Sequence, residues 1–350
     1  MKNKEKTAKE NLLRKSQEIR GTKIEGYDFD AEKNKFFSGS ENLKKKKKVS
    51  DKVVDYSSII KSFKSMGFQA SKLSKAIEIT RKMIEEKAFI FLGYTSNMAS
   101  SGNRDIIRYL VKNKMINVCV TTCGGIEEDI IKCLGNFYLG DFNVKGETLR
   151  EKGINRIGNI FVSNNRYVEF EKFLQPLLEE IYKEQKKKNK IITPSELIWK
   201  MGEKINNEKS ICYWAWKNKI KIFCPAIQDG AIGDNIYFFK FKRNDFIIDI
   251  TKDIKELNDM TIGLEKSGVI ILGTGVVKHS ILNANMLRNG CDYSVYINTE
   301  QEYDGSDSGA LPEEAVSWGK IKPFSESVKV FGDATILFPI LVAESFAKIR

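Results

Sequence analysis

Seven short apolar runs, each followed by a polar turn and then by a helical pattern, constrain the fold of this chain more than any other feature. They are AFIFLGY (88–94), INVCVTT (116–122), IKIFCPA (220–226), DFIIDI (245–250), GVIILGTG (268–275), YSVYINT (293–299) and VKVFGDA (328–334). A strand with one wet face alternates apolar and polar residues, whereas these runs are apolar almost throughout, as strands covered on both faces are. Strands of that kind alternating with helices predict an α/β fold: a Rossmann-like parallel sheet with helices on both faces. Upstream, residues 58–86 carry apolar side chains at three- and four-residue intervals and read as helices.

In such a sheet the strand C-termini and the loops after them share one edge, where ligands bind. Ser96, Asn97, Thr122, Gly124, Gly125, Asp229, Asp234, Thr299, Asp304 and Asp333 follow the apolar runs and are expected along that rim. Any one of them alone is an ordinary turn residue. Their convergence points to a site.

Charge narrows the class of ligand. The formal net charge is +12, yet residues 1–50 hold fifteen Lys or Arg against eight Asp or Glu, including KKKKK at 44–48. The excess lies in a basic arm over residues 1–55, read as partly helical and partly disordered, and not on an arginine- and aromatic-rich face, so a nucleic-acid partner is not expected. Residues 56–350 form the catalytic unit in this reading. No apolar run approaches a membrane span and the N-terminus lacks the apolar core of a signal peptide, which suggests a cytoplasmic protein that does not enter a membrane. Six cysteines without a CxxC pair, and a single histidine, His279, argue against a zinc site. DGSDSG (304–309) has some alternating oxygen ligands but lacks the distal glutamate of a calcium loop, so no metal is expected.

The remaining features suggest a nucleotide and an organic cation. TSNMASSG and TTCGG precede helical segments, and small residues there let backbone N–H groups approach a pyrophosphate. No GxGxxG occurs, and GTG (273–275) is only a fragment of one. Asp333 reads first as the N-cap of the last helix and, alternatively, as a partner for a ribose hydroxyl. Glu127, Glu128, Asp229, Asp234, Asp304, Asp307 and Glu314 give an otherwise basic protein an acidic rim suited to a polycation. His279 reads as a general base or as a surface residue. In EAVSWGKIK (314–322), Lys320 follows Trp318 and is either a desolvated nucleophile or half of a surface cation–π pair.

FLGYTSNMASSGNRDIIRYLV, TTCGGIEEDIIKCL, GINRIGN, IQDGAIGDN, VVKHSILNANMLRNG, YINTEQEYDGSDSGALPEEAVSWGKIK and FPILVAESFAK together closely resemble deoxyhypusine synthase over about residues 54–350, with GYDF (26–29) as an isolated upstream match. The resemblance implies NAD-dependent transfer of the 4-aminobutyl group of spermidine to one lysine of the hypusine-containing translation factor. It implies that Lys320 carries the butylimine and that His279 assists. Glu127, Glu128, Asp234, Asn283, Tyr296, Gly305, Ser306, Asp307, Glu314 and Trp318 would join them around spermidine. NAD would be held by Ser96, Asn97, Met98, Ala99, Ser100, Thr122, Cys123, Gly124, Glu128, Asp229, Thr274, Thr299, Glu300, Ser308, Asp333 and Ala334. A homotetramer, built as a dimer of dimers with sites at subunit interfaces, is implied too, with an N-terminal segment able to cover a neighbour's entrance; ENLLRKSQEIR (10–20) has a short amphipathic pattern that suits this.

Three departures stand out. Thr274 and Cys123 replace the family's common glycine and alanine, which places backbone approach in question at the first and suggests thiol sensitivity at the second. The Lys-rich stretch 31–53 reads as an insertion without an assigned role. Homospermidine synthase, which passes the same group to putrescine, and a catalytically impaired regulatory subunit are the alternative readings.

Overall fold

The computed structural model describes residues 2–12, 18, 20, 21 and 56–348. GYDF, the Lys-rich stretch 31–53 and most of segment 10–20 lie outside them. Nine strands are described: β1 Phe89–Tyr94, β2 Val118–Thr121, β3 Tyr138–Leu139, β4 Ile154–Ile157, β5 Ile160–Ser163, β6 Lys221–Phe223, β7 Ser267–Leu272, β8 Cys291–Asn298 and β9 Ile321–Phe331. Six of them form one sheet in the order β6-β2-β1-β7-β8-β9, and every pairing in it is parallel.

The uninterrupted apolar runs serve two cores at once, because successive side chains of a strand point to opposite faces. Ile90, Leu92, Ile270, Leu272, Val295 and Ile297 face one core. Phe91, Val269, Ile271 and Tyr296 face the other, beneath helix Val276–Met286. Burying about twelve such side chains, at roughly 1.5–3 kcal/mol each, fixes the register, since a one-residue slip would exchange the faces.

The strand order also fixes where a ligand can sit. From β1 the chain adds β2 and β6 on one side, then returns to add β7, β8 and β9 on the other. Helices therefore leave β1 and β7 toward opposite sides, and a crevice opens between their C-terminal ends, at the topological switch point.

Two expectations need correction or extension. DFIIDI is not a strand of the sheet: it makes a single bridge, Ile192 to Ile248. Ile247 and Ile250 remain half exposed, and Asp249 caps helix Ile250–Asp259 by accepting from Thr251 N at 2.9 Å, so the acid stops an extended run and starts a helix. Residues 135–219, to which the sequence assigned no elements, hold a small antiparallel sheet ordered β3-β5-β4 and helices Asn164–Lys188, Pro194–Ile205 and Ile211–Asn218. The segment 58–86 forms Tyr56–Met66 and Phe68–Glu85, broken at Gly67 with φ of 89°. Among the described residues, no helix is long and apolar enough to cross a membrane.

Candidate active site

The switch-point crevice collects the ends of four strands. Thr95 and Asn97 after β1, Gly273 and Thr274 after β7, Thr299 and Glu300 after β8, and Asp333 and Ala334 after β9 line it. Glycine is required at 273: φ is 84°, and a Cβ there would lie 2.3 Å from Thr95 Oγ1. Thr274 is not among the residues with positive φ, so its replacement of glycine costs no backbone strain. Asp333 is the helix N-cap, one oxygen accepting from Thr335 N at 2.8 Å, and it also lines the crevice; both readings of this residue are compatible. Ser308, in contrast, lies further along the loop after β8 and outside this lining.

Beside the crevice, helices Ser96–Ser100 and Cys123–Leu134 start after β1 and β2 without side-chain caps. Gly124 allows them to meet, since a Cβ there would lie 2.6 Å from Ser96 Cβ. Met98 and Ala99 are fully buried, so only their main chains can serve a ligand. The buried Thr122 Oγ1 and Asn298 Nδ2 have no hydrogen-bond partner among the described residues. An uncapped twelve-residue helix start, buried polar atoms without partners and a ribose-suited Asp333 together fit a dinucleotide.

Buried carboxylates lie at the β2–β6 end of the edge. Ser100 donates to Glu128, whose pKa is pushed up to about 8 by burial, partly opposed by that hydrogen bond and reinforced by Glu127. Glu127 accepts from Ile232 N at 2.9 Å, and burial raises its pKa also. Burial raises Asp234 as well. Glu127 and Asp234 line a cavity of about 320 Å³ with Tyr167, Glu171, Asn155 and Phe238. None of these last four was expected from the sequence. Glu171 is paired with Lys9 at 2.7 Å, whereas neither Glu127 nor Asp234 forms an ion pair among the described residues, so these two acids are the ones open to an entering cation. Asp229 is exposed in the turn after β6. Cys123 is fully buried and its thiol is pushed well up by burial and by Glu127, the opposite of a reactive thiol, so the expected sensitivity is not supported.

Lys320 stands elsewhere. Helix Pro312–Ser317 ends at Trp318, Gly319 turns with φ of 70°, and Lys320 N returns to Ala315 O at 2.9 Å. Cys291 N donates to Lys320 O at 3.1 Å, which pins this main chain at the start of β8 and β9. The lysine is 8% exposed, whereas Trp318 is 65% exposed, with its ring centroid 5.6 Å from Nζ. The pair is thus a buried amine beside an exposed indole, not two solvated side chains. His279 is exposed on helix Val276–Met286, its Nδ1 3.1 Å from Asn283 Nδ2. Service as a base at Nε2 requires the Asn283 amide to present its oxygen to Nδ1–H. Tyr296 is fully buried and covered by the Lys278 ammonium, 5.1 Å from its ring centroid.

The loop 299–311 joins crevice and lysine. Gly305 and Ser306 are exposed on it, while Asp307 Oδ2 is buried without a hydrogen-bond partner. Two buried lysines that sequence reasoning missed, Lys278 and Lys329, hold its main chain. Their signal was present: a lysine within an apolar strand, and one beside His279.

The expected site residues therefore fall into two sets. Lys320 lies level with Cys291, seven residues from the crevice end of β8 at Asn298, or about 23 Å of strand, and β2 is three strands from β8, or about 14 Å. Among the described residues, no hydrogen bond or ion pair joins Glu127, Glu128 or Asp234 to Lys320, His279, Asp307 or Glu314.

The sheet order, switch-point crevice and uncapped helix starts define a doubly wound α/β protein built to hold a ligand across strand ends. Residues 58–345 match the deoxyhypusine synthase family model. The chain is 48% identical to deoxyhypusine synthase of Senecio vernalis, with 97% of this chain and 93% of that protein covered, and 45% identical to that of Arabidopsis thaliana, with 97% and 94% covered. Among solved structures it resembles the "Crystal Structure of a putative deoxyhypusine synthase from Entamoeba histolytica", with TM-score 0.63, 32% identity, and 93% of this chain and 98% of that chain covered. The chain belongs to the deoxyhypusine synthase family: it is a transferase of the family whose activity is NAD-dependent aminobutyl transfer from spermidine, forming deoxyhypusine on the translation factor.

Proposed function

We propose that the switch-point crevice binds NAD and that Lys320 is the covalent carrier of the aminobutyl group. The observation that carries this reading is a buried lysine beside an indole, reached through an acidic loop that starts at the crevice. Ser96, Asn97, Ser100, Thr122, Gly124, Asp229, Thr274, Thr299, Glu300, Ser308, Asp333 and Ala334, with the main chain of Met98, Ala99 and Cys123, would hold NAD, which would supply a hydride acceptor and later a donor.

The chain's own residues do the rest. Asp234, Asp307, Glu314, Glu127 and Glu128 pair with the ammonium groups of spermidine, while Trp318, Asn283, Gly305 and Ser306 shape the channel. His279 takes the proton from spermidine's secondary nitrogen as the adjacent carbon is oxidised. Lys320 Nζ attacks that carbon and expels 1,3-diaminopropane, leaving an enzyme imine. The acceptor lysine then displaces Lys320. Both exchanges need a neutral amine and little water, and the burial of Lys320 serves the second.

The separation of the two residue sets supports a second element of the reading. The carboxylates of one subunit complete the site around Lys320 of another, in a homotetramer arranged as a dimer of dimers. The chain acts in the cytoplasm as a catalytic unit over 56–350, preceded by a basic arm over 1–55. The test offers purified protein, NAD and spermidine with the translation factor and with putrescine in parallel. Diaminopropane release with label appearing in the factor is expected; label only in homospermidine would overturn the acceptor assignment.

A further inference from the structure

Three lysines, Lys278 and Lys329 buried and Lys132 partly buried, form no ion pair among the described residues and bind main-chain carbonyls instead. Lys132 donates to Ala99 O, Ser100 O and Ser101 O at 3.1, 2.9 and 2.8 Å, closing the end of helix Ser96–Ser100. Lys278, 1% exposed, donates to Asp307 O and to Ala310 O, the second at 3.0 Å. Lys329, 5% exposed, donates to Glu300 O and Gly309 O at 2.6 and 2.5 Å. Burying an ammonium is costly, and burial lowers the pKa of both Lys278 and Lys329. That cost is offset by carbonyls of one loop, by the Tyr296 ring beneath Lys278, and by nearby acids of the same region.

The loop needs such anchors. Apart from the short turn Glu302–Asp304 it has no regular structure, and its side chains from Gln301 to Ser306 are exposed. It closes tightly at its base, where a Cβ on Gly309 would lie 1.6 Å from Gln301 O. Lys329 grips that base beside Glu300, in the crevice wall; Lys278 grips the far limb at Asp307 and Ala310.

We propose that Lys278 and Lys329 are positioning residues that serve two ligands through this loop: Lys278 fixes the limb that presents Asp307 to the polyamine, and Lys329, by tying Glu300 O to Gly309 O, fixes the base that presents Thr299 and Glu300 to the cofactor. The inference rests on the functional reading above. Neither lysine reacts. Each acts through the main chain of the loop, with the ammonium as a two-carbonyl clamp. A hydrogen bond from a charged donor is strong enough that losing a pair of them changes affinity by about tenfold to a hundredfold.

The experiment uses the full-length protein with K278M and K329M, which keep the stem and remove the donors, and K278R and K329R, which keep donors. Hydrogen exchange of loop 299–311 is read by mass spectrometry, and spermidine and NAD binding by calorimetry. In K278M, faster exchange in 305–311 is expected, with spermidine weakened at least about tenfold and NAD within about twofold; in K329M, NAD is weakened more than spermidine. The arginine variants should recover part of the protection. If a methionine variant fails to fold, the glutamine variant, with two uncharged N–H donors in place of three charged ones, is read the same way. Unchanged loop exchange, or equal loss of both ligands with faster exchange across β7 and β8, overturns the proposal. If the wild-type protein binds no spermidine, the functional reading fails, while the exchange data still judge the clamp.

Discussion

The two ends of the strand edge bury charge of opposite sign. After β2 and β6 the protein buries carboxylates, Glu127 and Glu128, beside Asp234, and raises their pKa values instead of pairing them with lysine or arginine. After β7, and within β9, it buries ammonium groups, Lys278 and Lys329, and binds them to main-chain carbonyls of the loop after β8. One end leaves Glu127, Glu128 and Asp234 without an ion pair among the described residues, whereas the other uses its cations to hold a loop. A buried charge matched inside the chain builds structure; one left unmatched builds a binding site. Asp129 shows the matched case within the first region: it accepts from Arg104 Nε at 2.7 Å, Ser210 Oγ at 2.6 Å, and two backbone amides, and these hold its pKa low despite burial.

The largest expected effect tests the lysine end. Lys320→Arg keeps the charge but forms no imine, so the borohydride-trapped adduct of enzyme and aminobutyl group should vanish, along with transfer to the acceptor. Mass spectrometry of the reduced protein reads this, and an adduct persisting in the variant removes Lys320 from its role.

A smaller effect is expected at the carboxylate end. Asp234→Asn and Glu127→Gln each remove one counter-charge for a bound ammonium, so spermidine affinity should fall by at least about a hundredfold, with NAD affinity little changed. Equal losses of both ligands would mean that these acids support the fold, and the contrast between the two ends would disappear.

The smallest effect is in stability. Glu128 has a folded pKa of about 8 against an ordinary 4.5, so the native state holds a proton that the unfolded chain releases. Its contribution is present below about pH 4.5 and is lost as pH rises through about 8, a change on the order of a few kcal/mol. Glu128→Gln should flatten that decline in urea unfolding measured from pH 5 to 9. A variant with the same slope as the wild type would place the proton elsewhere.

How much of this was legible follows from the same physics. Continuous apolar runs such as GVIIL report burial on both faces, and six of the seven runs are the six strands of the parallel sheet. DFIIDI failed because Asp249 sits where a cap suits better than a strand. Rim residues such as Asn97, Thr299 and Asp333 could be placed because strand ends share an edge. Lys320 could be singled out by its neighbours but not located, since nothing in EAVSWGKIK reveals that it opens β9 at the other end of the sheet. Lys278 and Lys329 were missed for a different reason: a lysine in an apolar run marks a buried ammonium, but carbonyl partners leave no side-chain pattern that says what it holds. Tyr167, Glu171 and Phe238 join the acid cavity only through the packing of helices distant in sequence.

The central claim is that the carboxylates of one subunit and the lysine of another form one site, and complementation tests it most directly. Two inactive variants, Lys320→Arg and Asp234→Asn, are mixed, dissociated and reassembled, and transfer to the acceptor is measured against each variant treated alone. The account predicts recovered activity in the mixture, because a mixed pair contains one site with both residues intact. Mixed oligomers that form, by mass, yet remain as inactive as either variant would contradict it.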